Sequence, residues 1–161
     1  MEYHTFNERL KERINRLATA DQLRFAIDNC KRLFPDYEAF CETHQWGEPF
    51  LLLDGIHACE KALVGEADMG WLNELRSCIG AVFPDSDDFG DYDGSYAQNA
   101  GIAVTYALQY VIDADAEHIV NIVTLYMDTV DFKLSESGIQ DARELDQHSR
   151  MIEARRFLLG E

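Results

Sequence analysis

Positive charge is scarce in this chain, and most scarce in its middle. Against 30 Asp/Glu there are 14 Lys/Arg, a net charge of −16. Residues 33–135 hold three basic and nineteen acidic side chains, whereas residues 1–32 hold seven and five and residues 136–161 four and six. Such a field repels nucleic acid and anionic membrane and steers basic proteins or cations toward the molecule. Long apolar runs are also missing. No stretch of about 18 apolar residues is available to span a bilayer. The N-terminal "MEYHTFNERLKERINRL" has no apolar h-region and no small-residue cleavage site, so it does not read as a secretory signal. A cytoplasmic protein is expected. The four cysteines, Cys30, Cys41, Cys59 and Cys78, form no C-x-x-C pair, and at least three fall on the apolar side of a helical pattern. They are expected to be reduced core residues. There is no G-x-S-x-G elbow, no glycine-rich phosphate loop and no cysteine in an electropositive setting, so nucleophilic catalysis has no support.

Apolar periodicity is abundant instead. With 161 residues, 47% hydrophobic, and nine Phe, seven Tyr and two Trp spread along the chain, one sizeable core can form. The spacing is helical throughout and no alternating strand pattern competes with it. Capping boxes at Thr5–Glu8, Thr19–Gln22 and Ser95–Gln98 predict helix starts. Pro35 is expected in the first turn of a short third helix, and Pro49 near the start of a largely enclosed fourth one. Asp68 and Asp115 read as caps, and a final helix is expected to begin at Asp141 and reach Leu159, with Leu145, Ile152 and Leu159 as its clearest apolar positions. The fold class is therefore all-α: a single-domain bundle of about seven helices over residues 1–161.

The segment "FPDSDDFGDYDGSYAQN" carries five aspartates from Asp85 to Asp93. Asp91-Tyr92-Asp93-Gly94 is like part of an EF-hand loop, but with Gly94 at loop position 6 the first position is Phe89 and the twelfth Ala100. With Gly90 there, position 5 is Phe89 and position 12 Tyr96. Neither register supplies the ligands. The "DFG" at Asp88–Gly90 lacks every other kinase element. Asp91 and Asp93, just ahead of a helix start, are placed to meet its partial positive charge. Two D-x-x-H pairs, Asp54/His57 and Asp115/His118, put a carboxylate and an imidazole on one helix face. Di-iron bundles use such a device with glutamate and add two inward glutamates. Here Asp115 serves better as a cap and His57 interrupts an apolar segment, so structural histidines are the expectation and these four residues the weaker, metal-binding alternative. No cofactor is expected. Tyr96, Tyr106 and Tyr110 lie along one helix and read as the rim of a core.

"CKRLFPDYEAFCETHQWGE" and the aspartate segment together resemble the bacterial family called domain of unknown function 416. In the first stretch the matching residues are Cys30, Pro35, Tyr37, Phe40, Trp46, Gly47 and Glu48. In the second they are Pro84, Asp87, Asp88, Phe89 and Tyr92, with departures at Ala97 and Asn99. The resemblance covers about residues 20–130 and implies an all-helical cytosolic protein without an established activity. The leading functional expectation is a non-enzymatic interaction or regulatory protein whose acidic middle meets a basic protein partner through Asp88, Phe89, Asp91, Tyr92 and Asp93. The alternatives are an immunity-type inhibitor of a basic toxin, and a metal binder or metal-dependent enzyme. Homo-oligomerisation is left open.

Overall fold

Phe6, Leu10 and Ile14 recur every fourth residue and are buried on one side of the first helix, α1 (Tyr3–Arg16). The computed structural model describes residues 3–89 and 92–161, and these form eight α-helices and a 3-10 turn, with no strand among the described residues. Arg13 of α1 donates to the carbonyls of Phe157 and Leu158 at the far end of the chain. It thereby satisfies acceptors that the last turn of a helix leaves open.

The second helix, α2 (Thr19–His44), runs for 26 residues straight through Pro35, so the separate third helix expected there does not exist. An interior proline removes a backbone bond and costs about 3 kcal/mol. The helix continues because Leu33, Tyr37, Phe40 and Cys41 carry the buried stripe past it while Pro35 itself faces solvent. The capping box at its start is also unused. Thr19 is already helical and Ala18 gives no side-chain cap. Gln22 turns inward instead, donating to the Ile14 carbonyl (2.9 Å) and accepting from the Tyr110 hydroxyl (2.5 Å). A buried amide needs such partners more than an exposed helix end needs a cap.

Helices α3 (Pro49–Leu63) and α4 (Met69–Gly80) follow, and the Asp68 carboxylate caps α4 by accepting from the Trp71 amide (3.0 Å). α3 is not enclosed as expected. Leu52, Gly55, Ile56, Ala58 and Cys59 are buried, but Phe50 is 77% exposed and Asp54 and His57 face solvent. α5 (Tyr92–Asp113) begins three residues before Ser95, which lies within its first turn. It packs against α2, α3, α4 and α6 (Glu117–Glu136) through Ala97, Ala100, Ala103 and Ala107. Two glycines set how closely its neighbours come. A methyl group at Gly101 would lie 2.4 Å from the Phe83 Cβ, and one at Gly55 2.6 Å from a Val104 methyl.

The expected last helix is broken in two, α7 (Ala142–Gln147) and α8 (Ser149–Leu159). Asp141 caps the first by accepting from the amides of Arg143 and Glu144. His148 lies at the break, its Nδ1 accepting from the Arg150 amide (3.2 Å). The buried stripe of α8 is Met151, Ala154, Arg155 and Leu158, one position off the expected set, and Ile152 is left 39% exposed. Cys30, Cys41 and Cys59 are buried free thiols. Cys78 is exposed and not a core residue. Among the described residues no helix is long and apolar enough to cross a membrane.

Candidate functional site

Where α2 ends, its side chains meet the aspartate segment. Tyr37 is fully buried, and its hydroxyl donates to the Val82 carbonyl (2.6 Å) while accepting from the Glu48 amide (3.0 Å). One side chain thus ties α2 to the start of α3 and to the strap leaving α4. Burial pushes the Tyr37 hydroxyl above its ordinary pKa, so it stays a neutral donor. One turn on, Phe40 lies edge-on to Phe89 (ring centroids 4.8 Å), with His44 4.5 Å and Trp46 6.0 Å away. His44 and Trp46 in turn contact Phe89, at 5.2 and 5.7 Å. Aromatic pairs of this geometry contribute roughly 0.5–1.5 kcal/mol beyond their buried area. Three rings therefore fix the position of Phe89.

Around that anchor the carboxylates stand outward. Ser86–Asp88 form the 3-10 turn, with the Asp85 side chain accepting from the Asp87 amide (3.1 Å). Asp85, Asp87 and Asp88 are exposed, and none is within ion-pair distance of a cation among the described residues. Asp93 lies in the first turn of α5, where the helix dipole favours a carboxylate, and its Oδ2 is 4.0 Å from His44 Nε2. Tyr92 is 45% exposed and stacks on Tyr96 at 6.4 Å; Trp46 is 39% exposed. Of the expected partner-binding residues, Asp88, Tyr92 and Asp93 share this end of the molecule. Phe89 is half-buried as the anchor, and Asp91 lies outside the described residues.

The D-x-x-H residues are not brought together in pairs. Asp54 and His57 are exposed on α3, so His57 is a surface histidine and not the core residue expected. His118 bonds Asp113 (3.0 Å), not Asp115, and its ring stacks on Tyr106 at 5.7 Å. Asp115 accepts from the Glu117 amide (2.9 Å). Hydrogen bonds from Gln109, from the Asp115 amide and from His118 hold the Asp113 carboxyl down at about 2. Among the described residues no group of three or more His, Cys, Asp or Glu is arranged to hold a metal ion. Tyr96 and Tyr110 are buried, Tyr96 donating to Glu136 (2.7 Å), and Tyr106 is half-buried, which suits the rim of a core. Asn99 is buried and donates to the Thr129 hydroxyl (3.0 Å).

The two quoted segments, some forty residues apart in sequence, are thus the two halves of one joint. A family model described as "Protein of unknown function (DUF416)" matches residues 9–157. The chain belongs to the DUF416 family. A crystal structure of a DUF416 family protein from Shewanella baltica OS155 superposes with a TM-score of 0.79 at 24% identity, over 96% of this chain and 82% of that one. That likeness shows the shared helical fold. No curated protein matches. In this DUF416 chain, Tyr37, Phe40, Trp46, Gly47 and Phe89, residues that carried the resemblance, all belong to this joint. Gly47 has a φ of +96°, and a methyl there would lie 2.7 Å from the Cys41 sulfur and 2.8 Å from the Tyr37 hydroxyl. The sequence reading missed His44, whose placement at the last turn of α2 beside a family-pattern phenylalanine was the available signal.

Proposed function

We propose that this DUF416 protein is an interaction or regulatory protein that presents the aspartate turn to a basic protein partner. The observation that carries this reading is the pairing of a rigid anchor with unpaired charge. Phe89 is fixed by Phe40, His44 and Trp46, while Asp87 and Asp88 in the turn just before it have no cation partner among the described residues. Carboxylates on a fixed turn lose little conformational freedom on binding, which lowers the cost of association. Exposed Trp46 and Tyr92 beside them are of the residue types that dominate binding energy at protein interfaces. Lysines and arginines of the partner would meet Asp87, Asp88 and Asp93, with Trp46 and Tyr92 supplying apolar contact.

The test is a pull-down at low and at high salt with the wild-type chain and with the Asp87→Lys/Asp88→Lys double variant. The expected outcome is a basic protein retained by the wild type at low salt, released at high salt and not retained by the variant. Equal retention by both chains, or no basic protein at any salt concentration, sinks the reading.

A further inference from the structure

Away from the aspartate turn, α2, α6 and α8 enclose a half-open cleft of about 340 Å³. Three basic side chains line it, Arg32, Lys133 and Arg150, together with the carboxylates Asp36 and Glu153 and the ring of Tyr126. In a molecule of net charge −16 this is a locally cationic recess, and its three cations come from three different helices. Each is held differently. The Arg32 guanidinium lies 3.6 Å over the Phe157 ring, with Tyr126 also lining the cleft, so it is held by an aromatic face without a carboxylate partner among the described residues. Lys133 donates to Asp36 (2.6 Å). Arg150 has no ion-pair partner among the described residues and sits in the first turn of α8, where the helix dipole disfavours a cation. An unpaired arginine at the first turn of a helix thus faces the same cleft as a ring-stacked arginine and a lysine, and only Lys133 of the three is paired to a carboxylate among the described residues.

We infer that this cleft binds a small molecule through a phosphate or carboxylate group, with Arg32 and Arg150 as the principal donors and Lys133 as the third. Arginine forks suit either oxyanion, which they bind through paired hydrogen bonds. The volume lies at the small end of metabolite pockets, which fits a compact ligand. Leu33 and Val130 supply apolar wall, and Glu153 faces the anion as an acceptor for a hydroxyl or amine on the same molecule. Asp36 competes with the ligand for Lys133.

Calorimetric titration of the full chain with inorganic phosphate, pyrophosphate and citrate, at constant ionic strength, tests this. Saturable binding of at least one probe is expected, with a dissociation constant of about 1 mM or tighter. Arg32→Gln and Arg150→Gln should each weaken it by about tenfold, the loss of one charge-assisted pair. Asp36→Asn should tighten it by freeing Lys133, and Arg143→Gln, outside the cleft, should leave it unchanged. Preference for the two phosphates or for citrate identifies the oxyanion. Circular dichroism of each variant establishes that it is folded. Absence of saturable binding of all three probes, or wild-type affinity in both Arg32→Gln and Arg150→Gln, overturns the inference.

Discussion

The aspartate turn and the cationic cleft are opposite in charge and opposite in construction. At the turn, the charge is exposed and the support is buried: Phe40 and Tyr37 lie in the core and fix where the carboxylates stand. At the cleft, the charged groups are themselves the walls, exposed or half-exposed, and rest on packing that would exist without them. The difference separates two ways of making a surface specific. One spends core residues on a fixed display, so substitutions at its buried supports also destabilise the protein. The other decorates a stable helix junction, so its residues can change at little structural cost.

The largest break is Phe40→Ala. Removing a fully buried ring that contacts Phe89, His44 and Trp46 is expected to cost about 3–5 kcal/mol in urea denaturation. Thiol labelling reads the same event independently. In the wild type the exposed Cys78 is expected to react and the buried cysteines to stay protected, burial holding the Cys59 thiol up at about 12. In the variant the buried thiols become reactive at lower denaturant. Tyr37→Phe comes next. It keeps the ring but leaves the Glu48 amide and the Val82 carbonyl without their shared partner, for a loss of about 1–3 kcal/mol. If instead it leaves the urea midpoint unchanged, the tie between α2, α3 and the strap is not structural.

Arg150→Gln should move stability by no more than about 0.5 kcal/mol, as expected for an exposed side chain without a partner. A loss comparable to that of Tyr37→Phe would make the cleft as core-dependent as the turn and erase the contrast. The smallest effect is on acid stability and belongs to neither region. Asp113 has its folded-state pKa depressed to about 2 by Gln109, the Asp115 amide and His118. Its contribution is therefore complete above the ordinary carboxylate value of 3.8 and is lost as pH falls through about 2. Carboxyl NMR should show this titration moving back toward the ordinary value in Gln109→Ala.

The turn and the cleft also differ in how far they could be read before folding. Five aspartates in nine residues, bounded by a proline and an alanine-rich helix, are visible as a string because every member is local. The cap at Asp68 and the helix start near Asp141 were legible for the same reason. Pro35 misled because a proline is a strong local signal, whereas the buried stripe from Leu33 to Cys41 that overrides it belongs to a helix packed against α3, α5 and α6. Ser95 and Gln98 misled similarly: the box pattern is present, but the helix already starts at Tyr92. The cleft was invisible. Arg32, Lys133 and Arg150 are scattered over more than a hundred residues, and no pattern along the chain links them. That His57 is exposed while His118 is paired to Asp113 likewise depends on which face each helix turns to its neighbours.

The uninterrupted passage of α2 through Pro35 has a consequence for how the two ends of the molecule communicate. Arg32 and His44 are carried by one helix, twelve residues apart, which is about 18 Å along the axis at about 1.5 Å per residue. At physiological ionic strength, charges on a protein surface are screened beyond about 8 Å. The two sites nevertheless meet through side chains, because Lys133 Nζ of the cleft lies 5.3 Å from the Tyr96 ring, which stacks on Tyr92 beside the aspartate turn. Two routes therefore join an occupant of the cleft to one at the turn: this ring pair, and α2 itself, on which Pro35 lies between Arg32 and His44.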